Sequence, residues 1–380
     1  HGAPSVPAPR AVNSAISGKK APEAELSSFL EARARETGFE TRRLPVPNQC
    51  SNLLILFERN PRLPWLLFDS HLDTVSVSGM TIDPFAAEIR DGKLWGRGAC
   101  DTKASGAAML AALAEYSTQP DGSYNVMLLY SVEEEMGMSG IRSFVKGELE
   151  GFRGDISGAV VGEPTRLEPV VAHNGVQRYL ITTYGRAAHS ANPAKGRSAV
   201  SDMASLILHL EEQYIPTLSA EHPLTGKSQC SINVISGGSA VNIIPDRCEI
   251  QVDRRIVPGE TPGEVIGSLT KHLDGYAAEH DGVRIDFEAS LETPPLTPRE
   301  DGEFLEAIYS ALRRTGRPGK PVGVRYATHA GDLCLAGIQS VVLGPGNIDQ
   351  GHTKDEWIET AQVEAAVTIY LEIMRHGTAG

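Results

Sequence analysis

Cysteine is scarce in this sequence and is not arranged to bind a structural metal. The chain has five cysteines, an odd number, and none of them forms a C-x-x-C pair. This argues against a disulfide framework and against a zinc site built from cysteine pairs. We therefore predict scattered, reduced thiols in a reducing compartment and expect a cytoplasmic protein.

The sequence also lacks an excess of positive charge and any long apolar run. Its 35 basic residues are outnumbered by 48 acidic ones, which leaves a formal net charge of −13 and argues against a nucleic-acid-binding surface. No run approaches the length of a membrane span and no signal peptide is apparent, so we expect no membrane partner. The opening HGAPSVPAPRA is interpreted as a proline-rich arm or a remnant of expression.

Short apolar runs alternate with helical segments in the first half of the chain. Pro22 to Thr37 has the apolar spacing of an amphipathic helix, and the Ala- and Leu-rich segment Thr102–Tyr116 predicts another. Buried strands are predicted at Asn52–Phe57, Pro64–Phe68, Asn125–Tyr130 and Ala159–Val161. This alternation predicts an α/β domain with a mainly parallel sheet, in which chemistry collects at the carboxyl ends of the strands.

The pattern changes between about residues 175 and 287. Strand, helix, strand, strand, helix and strand follow one another there, which predicts an α+β module of ferredoxin-like type. A chain of 380 residues exceeds one ordinary domain. We therefore expect a catalytic domain over residues 1–174 and 288–380, with residues 175–287 inserted as a lid or dimerisation domain.

The motif P-W-L-L-F-D-S-H-L-D places two polar residues at the end of a predicted buried strand. His71 and Asp73 are two residues apart, so in an extended backbone their side chains point to the same side. His71 can then bind a metal while Asp73 orients its ring. Taken alone, an H-x-D pair is more often structural.

The segment G-R-G-A-C-D-T-K carries Asp101 just before the Ala-rich helix. Glycines permit the tight turns that bring a carboxylate into a crowded site. Helix N-capping is an equally ordinary role for an aspartate at this position, and on this motif alone it is favoured.

The segment S-V-E-E-E-M-G has three consecutive glutamates directly after a buried strand. Uncompensated carboxylates are costly there, and a multivalent cation removes that cost. Adjacent side chains diverge, so Glu135 can bind the metal while Glu134 faces the attacking water. Glu163 in V-V-G-E-P-T and His352 in the glycine-rich P-G-N-I-D-Q-G-H again follow strands or loops of the same domain.

Together these motifs supply two histidines and three carboxylates as metal ligands. The predicted ligands are His71, Asp101, Glu135, Glu163 and His352. Mixed nitrogen and oxygen ligation suits zinc, with cobalt or manganese as substitutes, and several carboxylates without cysteine suit an open catalytic site.

From about residue 20 onwards, these motifs and their order resemble the cocatalytic dizinc metallopeptidase and deacylase family. That family includes acetylornithine deacetylase, succinyl-diaminopimelate desuccinylase, aminoacylase and carboxypeptidase G. The resemblance implies two divalent ions bridged by Asp101, with His71 and Glu163 completing one site and Glu135 and His352 the other. It also implies that Glu134 is the general base and Asp73 a supporting aspartate.

The predicted insert contains further segments that resemble this family. His189, in Y-G-R-A-A-H-S-A-N-P, is implied to stabilise the oxyanion, reaching across a homodimer in dimeric members. Asn242, Arg255 and Arg178 are implied to bind the substrate, because arginine pairs well with a carboxylate. A salt bridge to a neighbouring acid is the alternative for Arg255. His329, in A-T-H-A-G-D, is interpreted as either a specificity residue or a surface histidine.

Two segments around Glu163 and His352 look most like acetylornithine deacetylase. We therefore expect an amide hydrolase that removes a small acyl group from an N-acyl amino acid. Desuccinylation of succinyl-diaminopimelate and hydrolysis of peptides by a dipeptidase or carboxypeptidase remain open. An inactive metal- or ligand-binding relative is disfavoured, because all five ligands and Glu134 are present.

Overall fold

The computed structural model describes residues 23–152, 155–299 and 302–376. The predicted proline-rich arm lies outside these residues. The internal contacts of the described residues divide them into two compact units. Unit 1 takes in those up to residue 171, those within 298–322 and those from residue 328 onwards, and unit 2 takes in residues 172–297 and 323–327. Among the described residues no helix is both long and apolar enough to cross a membrane.

Unit 1 is an α/β domain. In chain order its elements are α1 (Ala24–Glu36), β1 (Glu40–Leu44), β2 (Asn52–Phe57), β3 (Trp65–His71), β4 (Glu88–Arg90), β5 (Lys93–Trp95), α2 (Ala104–Ser117), β6 (Asn125–Ser131), α3 (Ser139–Lys146) and β7 (Ile156–Val161). After unit 2 they continue with α6 (Glu303–Arg314), α7 (His329–Leu335), β18 (Ser340–Val342), β19 (Trp357–Glu359) and α8 (Thr360–Arg375).

The central sheet is parallel in its middle and antiparallel at its edges. Its order is β1-β2-β6-β3-β7-β18, followed by two short strands, β8 (Val170–His173) and β17 (Val322–Val324), at the points where the chain passes between the units. Strand β3 pairs in parallel with both β6 and β7, and β7 pairs in parallel with β18. The prediction of a mainly parallel α/β sheet is confirmed.

Helices cover the apolar strands of this sheet and make one core. Side chains of α2, α6 and α8 pack with those of β2, β3, β6 and β7 in a single buried cluster. Strand β6 is buried along its whole length, which explains its continuous apolar sequence. Because β3, β6 and β7 run in the same direction, their carboxyl ends meet at one edge of the sheet.

Unit 2 is a four-stranded antiparallel sheet with two principal helices. Its main elements are β9 (Gly175–Tyr184), α4 (Ala199–His209), β13 (Gln229–Gly237), β15 (Arg247–Ile256), α5 (Pro262–Glu279) and β16 (Arg284–Thr293); the short strands are β10 (Ala188–His189), β11 (Glu221–His222), β12 (Gly226–Lys227) and β14 (Ile243–Ile244). The sheet order β13-β15-β9-β16 and the strand–helix–strand–strand–helix–strand sequence are those of a ferredoxin-like module.

The end of unit 2 lies beyond the predicted residue 287. Strand β16 continues to Thr293 because it pairs with β9 from Tyr184 to Val176, with one register shift between Ala289 and Leu291. The sequence of β16 signals only its first residues, since the remainder is largely exposed and polar.

A buried histidine in unit 2 gives the domain a specific sensitivity to acid. His173 is fully buried, and burial lowers its pKa to about 4, with a hydrogen bond from Nδ1 to the Asn174 carbonyl opposing that effect. Between pH 6.5 and 4 the unfolded chain therefore binds a proton that the folded chain does not. We expect acidification over this window to lower the free energy of unfolding by about 3 kcal/mol.

The measurement is urea unfolding of the protein, followed by amide hydrogen exchange at residues of unit 2, at several pH values for the wild type and His173→Asn. The variant cannot titrate there, so its stability should fall less steeply between pH 6.5 and 4. Parallel pH profiles for the two proteins would contradict this assignment.

Candidate metal centre and active site

Three side chains form a continuous row at the carboxyl edge of the parallel strands. His71 is the last residue of β3, and its Nε2 lies 3.0 Å from Asp101 Oδ1. The other oxygen of Asp101, Oδ2, lies 3.2 Å from His352 Nε2. Asp101 therefore has one carboxylate oxygen facing each histidine, as a ligand shared between two ions would.

Two glutamates flank this row, one beside each histidine. Glu163 Oε1 lies 3.7 Å from His71 Nε2, and Glu135 Oε2 lies 3.0 Å from His352 Nε2. Donor atoms of His71, Asp101 and Glu135 all lie within 4.8 Å of one another. The structure thus brings all five residues that the sequence singled out as metal ligands into one cluster.

Asp73 lies beside this cluster and organises the acidic loop. Its two carboxylate oxygens accept the backbone N–H groups of Glu134 and Glu135 at 3.1 and 3.0 Å. Burial would raise the pKa of Asp73, but His71 and these two N–H groups outweigh it and lower the pKa to about 2. Nδ1 of His71 lies 3.1 Å from the backbone carbonyl oxygen of Asp73 and 3.5 Å from its carboxylate, so Asp73 positions both the histidine and the loop that carries the glutamates.

The three consecutive glutamates point to different surroundings. The carboxylate of Glu133 accepts hydrogen bonds from the backbone N–H group of Ser139, at 3.2 Å, and from the Ser139 hydroxyl. Glu135 faces His352, whereas burial raises the pKa of Glu134 to about 7. A group with that pKa can both accept and release a proton near neutral pH, which is the property a general base requires.

The electrostatics of the cluster fit bound cations. Burial also raises the pKa of Glu163 well above its ordinary value, and neighbouring carboxylates add to the effect. Hydrogen bonds to Asp101 and Glu135 raise the pKa of His352 to about 10. Several buried carboxylates lie close together with only two histidines beside them, and the repulsion between their negative charges is a cost that divalent cations would offset. The nitrogen and oxygen donors of this cluster suit zinc or a similar ion.

The loop that carries Asp101 is held by a buried carboxylate that sequence reasoning missed. Glu356 is 1% exposed and accepts the backbone N–H groups of Gly98, Cys100 and Asp101 at 2.9, 2.7 and 2.9 Å. Arg97 Nη1 donates a fourth hydrogen bond to it at 2.7 Å. Asp101 does not cap α2: the N-cap position is Lys103, and the cap has no side-chain hydrogen bond.

A close backbone approach near His352 explains the glycine before it. A Cβ atom at Gly351 would lie 3.2 Å from Asp101 Oδ2, tighter than most real contacts. His352 itself has a φ of 54°, in the left-handed region, which is uncommon for a residue other than glycine. The glycine-rich loop therefore allows the histidine to reach the shared aspartate.

His329 is not a surface residue. It is fully buried at the start of α7, and its Nδ1 lies 2.7 Å from Asp69 Oδ2. The interpretation of His329 as a surface histidine is therefore wrong. The signal for this pair was an aspartate within the apolar run of β3, which sequence reasoning did not use.

Four residues of unit 2 were given roles by the family resemblance, and each is described here by its neighbours within that unit. His189 is exposed on β10, opposite Ile243 of β14, and Asn242 is exposed just before β14. Arg178 and Arg255 both form ion pairs with Asp253, with N–O distances of 3.2 and 2.7 Å. The salt-bridge alternative for Arg255 is thus realised in this structure.

Comparison with known proteins identifies the family of this chain. Residues 67–376 match the model of peptidase family M20/M25/M40. The chain is 31% identical, over 367 residues, to an acetylornithine deacetylase of Photorhabdus laumondii, covering 92% of this chain and 90% of that protein.

Solved structures share the fold. A metallo-carboxypeptidase of the M20 family, Sso-CP2 from Sulfolobus solfataricus, superposes with a TM-score of 0.79 at 18% identity, covering 96% of both chains. The Bacillus subtilis YXEP protein, described as a dinuclear metal-binding peptidase of the M20 family, gives a TM-score of 0.67 at 17% identity, covering 93% of this chain and 92% of that one. With the family match over most of its length, the chain belongs to the M20/M25/M40 peptidase family, whose members are metallohydrolases that act on amide bonds.

Proposed function

We propose that this protein hydrolyses N-acyl amino acids, with N-acetylornithine or a close analogue as its substrate. The observation that supports this most is the 31% identity to an acetylornithine deacetylase over 92% of the chain. The clustering of all five predicted ligands around Asp101 supports an active rather than a degenerate member.

In this proposal His71, Asp101 and Glu163 would hold one divalent ion, and Asp101, Glu135 and His352 would hold the second. When bound, two such ions acidify a water molecule and polarise the amide carbonyl. We propose zinc, with cobalt or manganese as substitutes, because the donor set mixes imidazole with carboxylate. The cytoplasm is the compartment that we propose.

Glu134 is the proposed general base. It accepts a proton as the water oxygen bonds to the carbonyl carbon, and it returns that proton to the amide nitrogen as the C–N bond breaks. The products are a carboxylic acid and an amine, which become a carboxylate and an ammonium ion when the acid's proton passes to the amine, and Glu134 ends ionised as it began. Asp73 holds the backbone of Glu134 in place through its hydrogen bond to the N–H group.

A panel of substrates tests the proposal. The purified protein should release acetate from N-acetylornithine faster than it cleaves N-succinyl amino acids or dipeptides. A chelator should abolish this activity, and zinc, cobalt or manganese should restore it. Turnover of dipeptides alone would instead assign the peptidase function that the family name implies, and N-acetylornithine left intact would exclude the narrow claim.

His189 of unit 2 is proposed to stabilise the oxyanion of the tetrahedral intermediate. Removing one such donor costs about 10²–10³ in kcat, so we expect a loss of that size for His189→Ala. Its metal content should equal that of the wild type, as measured by elemental analysis. Loss of metal from the variant would show that His189 has a different role.

A homodimer formed through unit 2 is the proposed assembly. Unit 2 exposes several large apolar side chains, namely Val234, Ile235, Val241 and Ile243. If His189 acts in the partner's active site, mixing His189→Ala with Glu134→Gln subunits should restore activity. Random pairing would give about a quarter of wild-type activity, because half of the dimers are mixed and each has one intact site. Unchanged inactivity after subunit exchange would contradict action across the dimer.

A further inference from the structure

His352, the proposed histidine ligand of the second ion, lies in a loop and not at the end of a strand. It belongs to the β18–β19 loop, residues 343–356, and its side chain is 52% exposed. Its φ of 54° is in the left-handed region, a strained conformation for a residue other than glycine that persists only where the surroundings hold it. The backbone around this histidine therefore needs restraint from neighbouring side chains.

Arg97 provides one such restraint from the buried side of the loop. Its side chain is 4% exposed, and its Nη1 donates to Glu356 Oε2 at 2.7 Å. Nη2 donates to two backbone carbonyl oxygens, those of Thr353 and Ser76, both at 3.1 Å. Thr353 directly follows the histidine, and Ser76 belongs to the β3–β4 loop, residues 72–87. One planar guanidinium group therefore joins the carbonyl next to the histidine to a loop that begins at the end of β3.

Asp355 joins the same two loops through more exposed residues. Its Oδ1 accepts the backbone N–H groups of Thr81 and Ile82 at 2.8 and 3.3 Å, and its Oδ2 accepts the hydroxyl of Thr81. Thr81 and Ile82 lie in the β3–β4 loop, whereas Asp355 lies three residues after His352. Two side chains thus tie the β18–β19 loop to the β3–β4 loop at separate points.

The β3–β4 loop is a suitable base for these links because it is fastened near both of its ends. Near its start, the carboxylate of Asp73 accepts the backbone N–H groups of Glu134 and Glu135 at 3.1 and 3.0 Å. Near its end, the carbonyl oxygen of Pro84 accepts the backbone N–H group of Arg97 at 3.0 Å. Links to this loop therefore connect the β18–β19 loop to the central sheet.

We propose that Arg97 and Asp355 are positioning residues that hold His352 in place for the second ion, because they fasten its loop to the β3–β4 loop. This inference rests on the proposed metal centre, in which Asp101, Glu135 and His352 bind that ion. Both side chains act through the backbone of the loop, and neither takes part in a covalent step.

The first ion, which His71 and Glu163 would bind, is an internal reference for the test. His71 is the last residue of β3, and Glu163 lies two residues after the end of β7, so the sheet sets the position of both. A loosened β18–β19 loop should therefore weaken binding of the second ion and leave the first almost unchanged. A general loss of stability would instead weaken the binding of both ions.

Arg97→Lys keeps a positive charge beside Glu356 but lacks the planar fork that reaches three acceptors. We expect its affinity for the second zinc ion to fall about 10–100-fold, the usual cost of disturbing a group that orients a metal ligand, and its affinity for the first to change by less than about threefold. Zinc titration of the metal-free protein, labelled with ¹⁵N at histidine and buffered with a chelator, follows the two sites separately. The ring signals of His71 and His352 each respond to the ion that the residue binds.

Asp355→Ala tests the second link independently. Asp355 is partly exposed, so this variant should fold normally, and the inference can be judged on it even if Arg97→Lys is unstable. We expect its affinity for the second zinc ion to fall about tenfold, at the lower end of the same range. Arg90→Lys and Asp83→Ala are matched controls that should bind both ions as the wild type does. Arg90 is exposed on β4, and Asp83 is exposed in the β3–β4 loop, where it accepts the N–H group of Phe85 at 2.9 Å.

Equal weakening of both ions would show that Arg97 and Asp355 serve only the fold, and it would overturn the inference. Normal affinity for both ions in the two variants would overturn the inference alone and leave the proposed function intact. A wild-type protein in which zinc leaves the His352 signals unchanged would refute the two-ion centre itself, and the proposed function and this inference would fall together.

Discussion

Glu134→Gln is expected to lower kcat about 10⁴-fold while the protein still binds its metal ions. General acid–base catalysis contributes about 10²–10⁴, and a buried base that handles the proton in both halves of the reaction belongs at the upper end of that range. Glutamine keeps the size of glutamate and cannot accept the proton. Assay of acetate release together with elemental analysis would measure both outcomes.

The neighbouring glutamates provide matched controls for this experiment. Glu133 binds Ser139 and not the histidines, so Glu133→Gln should change kcat less than tenfold. Glu135 lies 3.0 Å from His352, so Glu135→Gln should lose metal as well as activity. Three identical substitutions at consecutive positions should therefore give three different phenotypes.

The assignment of Glu134 would be contradicted by a Glu134→Gln protein with near-normal turnover. Loss of metal from this variant would contradict it equally, because Glu134 would then be a ligand. The raised pKa of Glu134, about 7, is caused chiefly by burial, and the histidines nearby oppose that effect.

Glu356→Gln should lower the free energy of unfolding of unit 1 by about 3–5 kcal/mol, the usual cost of breaking a buried ion pair. The carboxylate accepts four hydrogen bonds, from Arg97 and from three backbone N–H groups in the Asp101 loop. Glutamine has an NH2 group in place of one of the two accepting oxygens. Some of the four donors would therefore lose their acceptor, and the new NH2 group would face N–H groups that also donate. Arg97 would then be a buried charge without its partner.

The second expected result of Glu356→Gln is weaker metal binding. Asp101 is placed between His71 and His352 by the loop that Glu356 holds, so a loosened loop should displace the shared ligand. Changes to groups that orient metal ligands typically cost about 10–100-fold in affinity, and competition with a chelator would measure this. Glu359→Gln is the matched control, because Glu359 is exposed on the following strand, where it accepts a hydrogen bond from Gln362 at 3.1 Å.

Normal stability and normal metal affinity in Glu356→Gln would contradict this role. If stability falls but metal affinity does not, the carboxylate holds the fold and not the position of Asp101. The two measurements therefore separate folding from ligand placement.

The sequence predicted the structure best where the local pattern of apolar residues matches the burial of the element that they form. The run Asn125–Tyr130 is apolar at nearly every position, because β6 lies in the middle of a sheet covered by helices. Helix α1 was signalled by its apolar spacing and α2 by its Ala- and Leu-rich sequence, and each begins within two residues of the predicted start. Short elements such as β4, β5 and β18 went unpredicted, since three residues contain too little periodicity to recognise.

The sequence by itself singled out the residues that we propose to carry the chemistry: an ordered set of histidines and acids at predicted strand ends, including three consecutive glutamates that are costly to bury. Only the tertiary structure decided which neighbours surround each of those residues. Glu133, Glu134 and Glu135 differ because the backbone turns each towards a different neighbour. Likewise Glu356 and the pair of Asp69 with His329 are partners joined across about 255 and 260 residues, contacts that folding creates and that no local pattern encodes.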